Sequence, residues 1–256
     1  MNTSSPIGVF DSGAGGISVL KKLQEMMPHE DFIYYGDTLN APYGTKTADE
    51  VIALADHVVQ ELLKRDVKAV VIACNTATAA AAKVLRERYT ALPIIGMEPA
   101  LKLAHDTVGS GKIAVLATPG TIRSAKYGLL HDKYGANTVS IPCPGLMEYV
   151  EKLALDTDEL HEYLDGILTD DVKKDLKCVV LGCTHYSFLR KAIRRHVGDD
   201  VLIVDGNEGT ARQTRKKLAE NRMLSDRTES GNVTLLTSSD AFFVKIMADL
   251  IKETLD

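Results

Sequence analysis

The chain has 256 residues, enough for one large domain or two small ones with a sizeable buried core. It carries 30 Lys and Arg against 35 Asp and Glu, a net charge of -5, and no basic run that could follow a phosphate backbone, so we expect no nucleic-acid partner. No apolar stretch approaches the ~20 residues of a membrane span, and residues 1–6 lack the features of a signal peptide, so we expect a cytoplasmic protein without membrane contact.

Short apolar runs alternate with longer helical patterns along the whole chain. Apolar runs that are continuous rather than alternating are typical of parallel strands buried on both faces. Strands are predicted at residues 7–10, 32–35, 69–72, 113–116, 139–141, 179–181 and 201–204. Between the second and third of these, Thr47 and Glu50 predict a capping box, and the helix that it starts reaches Lys64 and Arg65. This order of elements predicts an α/β protein throughout.

Two pairs of segments repeat with nearly the same offset, which indicates two related halves. Residues 7–13 and 113–119 are each a strand that runs into a turn of small polar residues. Residues 70–76 and 179–185 match in register, and in each the strand leads to a cysteine and then to a helical pattern, over residues 77–88 and 188–196. A cysteine between a strand and a helix lies where backbone N–H groups favour a thiolate, at the sheet edge where ligands bind.

The four cysteines of a cytoplasmic chain are expected to be reduced, so each is a packing residue, a metal ligand or a reactive thiol. A single cysteine after an apolar strand is most often a packing residue, but Cys74 and Cys183 occupy corresponding positions in the two halves. Cys143 and Cys178 have no such counterpart, and we interpret them as packing residues. A zinc site from Cys178, Cys183 and His185 would lack the spacing of a zinc ribbon, so we predict no metal.

The glycine-rich turn at residues 11–16 follows the first strand. Ser18 stands where a dinucleotide fingerprint would require glycine, so we predict no nucleotide cofactor. The turn instead suits a small anion, such as a carboxylate, at a helix N-terminus. Asp11 either caps that helix or faces the cleft as an acid/base or ammonium-binding group. The loop at residues 36–44 is rich in turn residues and long enough to line a pocket.

Two equivalent thiols that meet in a cleft suit a reaction that needs a base and an acid on opposite faces of one carbon. Inversion of a Cα stereocentre is such a reaction, because one thiolate removes the α-proton while the opposing thiol delivers a proton. Two hypotheses from other classes stay open. A two-domain amino-acid-binding protein would tolerate Ser at either cysteine, and a Cys-dependent amidase would need only one thiol.

Five short motifs follow one another along the chain. They are Asp11-Ser12-Gly13-x-Gly15-Gly16, Pro42-Tyr43-Gly44, Cys74-Asn75-Thr76-Ala77, Thr118-Pro119-Gly120-Thr121 and Gly182-Cys183-Thr184-His185-Tyr186. In this order they resemble the glutamate racemase family of the cofactor-independent Asp/Glu racemase superfamily, over about residues 7–212. The resemblance implies two pseudo-symmetric, doubly wound α/β domains with mainly parallel sheets and an active site in the cleft between them. It also implies a homodimer that interconverts L- and D-glutamate for peptidoglycan synthesis without a cofactor.

The resemblance implies a role for each motif residue. Cys74 would deprotonate D-glutamate and Cys183 would deprotonate L-glutamate, while Asp11, His185 and Glu151 would assist the thiols or bind the substrate ammonium. The residues that would hold the substrate are Asp11, Ser12, Tyr43, Gly44, Asn75, Thr76, Thr184 and His185. Hydroxyl groups and backbone N–H donors at helix N-termini are suited to binding carboxylates.

The chain departs from the family pattern at three places, all of which we expect at the pocket rim. Ser187 stands where the family commonly has Pro, Ala14 replaces a usual Val, and residues 39–41 differ from the usual Ala-Arg pattern. His185 follows the second Cys-Thr, where aspartate racemases typically carry Glu, so glutamate is favoured over aspartate. We predict that residues 1–96 and 206–256 form one domain and residues 97–205 the other.

Overall fold

The computed structural model describes residues 3–255, and strands and helices alternate throughout that range. Its strands are β1 (Ile7–Asp11), β2 (Phe32–Gly36), β3 (Ala69–Ile72), β4 (Ile94–Gly96), β5 (Lys112–Ala117), β6 (Thr138–Pro142), β7 (Leu176–Leu181), β8 (Leu202–Asp205) and β9 (Val233–Thr237). Its α-helices are α1 (Ile17–Met26), α2 (Ala48–Leu63), α3 (Asn75–Arg88), α4 (Leu101–Val108), α5 (Pro119–Arg123), α6 (Ala125–Tyr134), α7 (Leu146–Glu151), α8 (Asp158–Ile167), α9 (Asp170–Lys173), α10 (Arg190–Val197), α11 (Asn207–Glu220) and α12 (Ala241–Lys252). Three 3₁₀ helices cover Thr38–Asn40, Tyr43–Thr45 and Thr184–Leu189.

The strands form two separate parallel sheets. The first has the order β4-β3-β1-β2-β9 and the second has the order β6-β5-β7-β8. If β1 is matched with β5 and β3 with β7, as the sequence repeat predicts, β4-β3-β1-β2 corresponds to β8-β7-β5-β6. The prediction of two related α/β halves is therefore confirmed, and β9 is an addition to the edge of the first sheet.

Two strands were not predicted, and each lacks the signal that identified the others. β4 is only three residues long, and β9 is an edge strand whose side chains are only partly buried. The chain thus returns from the second sheet to complete the first, with β9 parallel to β2. The exact domain boundaries, at residues 96 and 206, stay a prediction.

The three predicted helices are present, and their ends differ from the predicted ones by at most two residues. Thr47 and Glu50 form the predicted capping box, and α2 ends at Leu63, with Lys64 as its C-cap. The helix after Cys74 begins at once with Asn75. The helix predicted over residues 188–196 is α10, which begins two residues later and follows the 3₁₀ helix Thr184–Leu189.

The carboxyl ends of the central strands lie on the side of the sheets where the two halves meet. β1 ends at Asp11, and β3 and β7 each end two residues before a cysteine. The first helix of the chain, α1, packs against both α11 and the 3₁₀ helix Thr184–Leu189. These contacts bring the strand ends of the first half close to the turn that follows Cys183 in the second half. Within residues 3–255, none of the helices combines the length and apolar character that a membrane crossing requires.

Candidate active site

Cys74 lies at the N-terminus of a long helix in the first half. Its Sγ accepts a hydrogen bond from the backbone N–H of Ala77 at 3.4 Å, so the side chain caps α3. The hydroxyl of Ser12 lies 3.8 Å from the same sulfur. Only 6% of Cys74 is exposed, and burial, followed by the nearby Asp11 carboxylate, raises the pKa of this thiol well above its ordinary value. The environment therefore favours a protonated Cys74.

Cys183 has a different set of neighbours in the second half. Its Sγ lies 3.7 Å from Nδ1 of His185 in the following turn, and no backbone N–H of that turn caps the sulfur as Ala77 caps Cys74. Burial alone would lower the pKa of His185, but contacts with Cys183 and Glu151 outweigh burial and raise that pKa well above its ordinary value. The carboxylate of Glu151 lies 2.7 Å from Nε2 of His185. The imidazole of His185 is thus placed to exchange a proton with the sulfur of Cys183.

The His185 ring has a partner for Nε2 in either protonation state. When Nε2 carries a proton, it donates to Glu151, which also accepts the Ala14 N–H at 2.8 Å. When Nε2 lacks the proton, it accepts the N–H of Gly15 at 3.1 Å. Nε2 therefore has a hydrogen-bond partner whether or not it carries a proton.

Asp11 joins the two halves across the cleft. One carboxylate oxygen accepts the Ser12 N–H at 2.6 Å, and the other accepts the Thr184 hydroxyl at 2.9 Å. The N-cap of α1 is Gly16, so the interpretation of Asp11 as the cap of this helix is wrong. Burial raises the pKa of Asp11, since the contact with Thr184 and the charge of His185 only partly offset the loss of solvent.

One small cavity of about 20 Å³ collects residues of both halves. Its lining residues are Asp11, Ser12, Pro42, Tyr43, Gly44, Cys74, Asn75, Thr76, Thr118, Thr121, Met147, Gly182, Cys183, Thr184 and His185. All eight predicted substrate-binding residues and both cysteines are among them. The cavity holds about one water molecule, so an amino acid can enter only when the surrounding segments move apart.

Three expectations about the surroundings of the cavity need correction. The glycine-rich turn does hold a carboxylate through the Ala14 N–H, but the carboxylate belongs to Glu151 of the same chain. Glu151 does not itself line the cavity and reaches it only through His185. Ala14 and Ser187 are not at the rim, because both are buried and neither lines the cavity.

A cluster of three hydroxyl groups in the cavity wall was not predicted. The Oγ1 atoms of Thr76, Thr118 and Thr121 lie 3.0 to 3.2 Å from one another. Thr76 lies in α3 of the first half, while Thr118 and Thr121 follow β5 of the second half. The Thr118-Pro119-Gly120-Thr121 motif was the available signal, since a threonine at a strand end before proline indicates a helix cap.

The side-chain amide of Asn75 is buried in the site without a hydrogen-bond partner. Asn75 is 5% exposed, and neither its amide nitrogen nor its amide oxygen has a hydrogen-bond partner among residues 3–255. Because a buried amide without partners is costly, such a group indicates a polar ligand. Asn75 was among the residues predicted to hold the substrate.

The other cavity and the other two cysteines do not share the features of this site. A larger cavity of about 840 Å³ lies beside α11, but none of the predicted site residues lines it. Among the described residues, no three His, Cys, Asp or Glu side chains converge as metal ligands would. Cys143 and Cys178 are buried, and burial raises the pKa of each thiol to about 12, consistent with packing residues.

Known proteins resemble this chain over nearly its whole length. A family model described as Asp/Glu/Hydantoin racemase matches residues 7–214. The chain is 50% identical over 240 residues to a glutamate racemase from Clostridium novyi, covering 93% of each chain. A glutamate racemase isoform from Bacillus anthracis has 33% identity and a TM-score of 0.88, covering 98% of this chain and 95% of that one. The Francisella tularensis glutamate racemase, solved in complex with D-glutamate, has 28% identity and a TM-score of 0.83, covering 99% of each chain.

Proposed function

Because the chain belongs to the Asp/Glu/Hydantoin racemase family and is an amino-acid racemase, we propose that it interconverts L- and D-glutamate with two cysteine thiols. The family resemblance inferred from the motifs is confirmed. The observation that carries the proposed mechanism is that Cys74 and Cys183, from corresponding positions of the two halves, line one cavity. A packing role for both would not require them to share a cavity lined by polar side chains.

The charges around the two thiols support opposite starting roles. Burial and Asp11 favour the protonated form of Cys74. Nδ1 of His185 lies 3.7 Å from the sulfur of Cys183 and is placed to take up the proton of that thiol. One thiol is then ready to act as an acid and the other as a base. With Cys74 as the acid and Cys183 as the base, the reaction runs from L-glutamate to D-glutamate.

The proposed reaction transfers two protons at one carbon. The Cys183 thiolate takes the α-proton of L-glutamate, and the electron pair left on Cα is delocalised into the α-carboxylate. The Cys74 thiol then donates its proton to the opposite face of Cα, which gives D-glutamate, a Cys183 thiol and a Cys74 thiolate. The reverse reaction uses the same groups in exchanged roles.

Hydroxyl and amide groups, rather than Lys or Arg side chains, are available to hold the two carboxylates of the substrate. The lining residues include no Lys or Arg, but they include Ser12, Asn75 and the three threonines of the hydroxyl cluster. Hydrogen-bond donors aimed at the α-carboxylate would also stabilise the charge that develops there when the proton leaves. Asp11 is the acidic group in the cavity wall, and we assign it to the substrate ammonium.

The cellular setting follows from the proposed reaction and from the family. We propose that the protein works in the cytoplasm, supplies D-glutamate for peptidoglycan synthesis and forms a homodimer. Light scattering on the purified protein would test the homodimer, and a mass of one chain would contradict it.

Deuterium exchange tests the proposed reaction most directly. Each enantiomer of glutamate is incubated with the protein in D₂O and followed by circular dichroism and proton NMR. We expect the optical signal to decay to zero from either enantiomer, with loss of the α-proton signal. An amino-acid-binding protein would change neither signal, and a Cys-dependent amidase would release ammonia from an amide substrate without inversion; either result would overturn the proposal.

A further inference from the structure

A buried polar cluster lies directly behind the turn that follows Cys183. Ser187 is 1% exposed; its hydroxyl donates to Oδ2 of Asp205 at 3.1 Å and accepts from the amide of Asn207 at 3.0 Å. Asp205 also accepts from the Arg190 guanidinium and from the backbone N–H of Asn207. The Ser187 hydroxyl is thus saturated by two groups from the segment that leaves β8 and starts α11.

Ser187 is the second residue, after Thr184, that attaches the turn to the first half. In a 3₁₀ helix the side chains at i and i+3 lie on the same face, so Thr184 and Ser187 project together. Thr184 bonds to Asp11 at the end of β1, and Ser187 bonds to Asn207 at the start of α11. Since α11 packs against α1, both bonds tie the turn to the first half.

Cys183 needs such a tie more than Cys74 does. The sulfur of Cys74 is fixed by the N–H of Ala77 at the start of a 14-residue helix. Cys183 precedes a 3₁₀ helix of six residues and receives no hydrogen bond of that kind. The position of Cys183 relative to the cavity therefore depends on how the turn as a whole is held.

We propose that Ser187, through Asp205 and Asn207, is a positioning residue for Cys183 and fixes the turn that carries this thiol and His185. This inference rests on the proposed function and adds a residue that touches neither the thiols nor the cavity. Loss of the Ser187 hydroxyl leaves the buried Asn207 amide without its partner, so the turn shifts. The shift affects proton transfer at Cys183 and leaves Cys74, which is held by α3, in place.

Primary isotope effects distinguish a shift at one thiol from a general loss of structure. For a racemase the equilibrium constant is one, so a variant must lose kcat/KM equally in both directions. The deuterium isotope effect is free to differ, because L-glutamate deuterated at Cα reports on proton removal by Cys183 and the D enantiomer reports on removal by Cys74. In Ser187→Ala we expect kcat to fall about 10-fold, with a larger isotope effect from L-glutamate and a smaller one from D-glutamate.

The matched control is Thr214→Val, which removes a buried hydroxyl of α11 that bonds only within its own helix, to the carbonyl of Thr210. This control should leave both isotope effects unchanged. Asn207→Ala removes the other partner of Ser187 and should move the isotope effects in the same direction, so it serves if Ser187→Ala does not fold. Unchanged isotope effects, or equal changes for both enantiomers in both variants, would overturn the proposal. The wild-type protein, measured alongside, reports on the proposed function, so the two failures are distinguishable.

Discussion

The two halves of the protein share a sheet order but surround their cysteines differently. In the first half, a carboxyl group, a hydroxyl group and a long helix surround Cys74. In the second half, an imidazole backed by Glu151 surrounds Cys183, and the helix that follows is replaced by a tight turn. A repeated backbone thus carries two unlike sites. Because the reaction needs an acid and a base at the same moment, identical surroundings would be the wrong arrangement for the first turnover.

The largest loss of activity should come from replacing either cysteine, because each half supplies one of the two thiols. Cys74→Ser and Cys183→Ser each remove one of the two proton-transfer groups, so we expect racemisation of both enantiomers to fall by about 10²- to 10⁴-fold or more. The remaining cysteine should still exchange the α-proton of one enantiomer. In D₂O, Cys74→Ser should exchange the α-proton of L-glutamate without inversion, and Cys183→Ser should do the same with D-glutamate.

The control for the cysteine variants is Cys178→Ala, which removes a buried thiol outside the cavity. We expect wild-type racemisation and a stability loss of about 1 kcal/mol, measured by thermal unfolding. If Cys178→Ala abolished racemisation, or if both serine variants exchanged the same enantiomer, the assignment of one thiol to each half would be wrong.

The next largest effect should come from a glycine that separates the halves. A Cβ at Gly15 would lie 2.2 Å from Nδ1 of His185, in a ring that is 2% exposed. Gly15→Ala should therefore displace the imidazole from Cys183 and lower kcat by about 10²-fold. Gly128→Ala, where a Cβ would meet no atom within 4 Å, is the matched control and should retain full activity. Equal kcat values for the two variants would contradict this role of His185.

Glu151→Gln should test the surroundings of Cys183 alone, because it removes a charge beside His185 and leaves the surroundings of Cys74 unchanged. Its carboxylate is one of the groups that raise the pKa of His185, so the amide should lower that pKa. His185 then loses its proton at a lower pH, and the alkaline limb of the kcat/KM profile should move to lower pH. The measurement is kcat/KM against pH for wild type and variant. A limb that stays in place, or moves to higher pH, would contradict the assignment.

Much of the fold could be predicted because its central strands are buried on both faces. The continuous apolar runs of β1, β3, β5 and β7 carry the signal, and the repeat between the halves predicted that Cys74 and Cys183 would lie at equivalent sheet edges. β9 could not be placed, since its pairing with β2 joins distant parts of the chain and its side chains alternate only weakly in burial.

The site itself was predicted less evenly. Residues adjacent to strand ends were found because the carboxyl edge of a parallel sheet collects them. The hydroxyl cluster of Thr76, Thr118 and Thr121 was not recognised, since it forms only when the halves come together. The burial of Ser187 was also missed, because a polar residue after a catalytic motif gives no sign of which way it points.

The return of the chain to its first sheet has a consequence for synthesis on the ribosome. All four strands of the second sheet, β5 to β8, leave the ribosome before β9 does, although β1 to β4 precede them. Until β9 emerges, the edge of β2 has no neighbour and can pair with another nascent chain. The half that is translated first is therefore the one whose sheet is completed last.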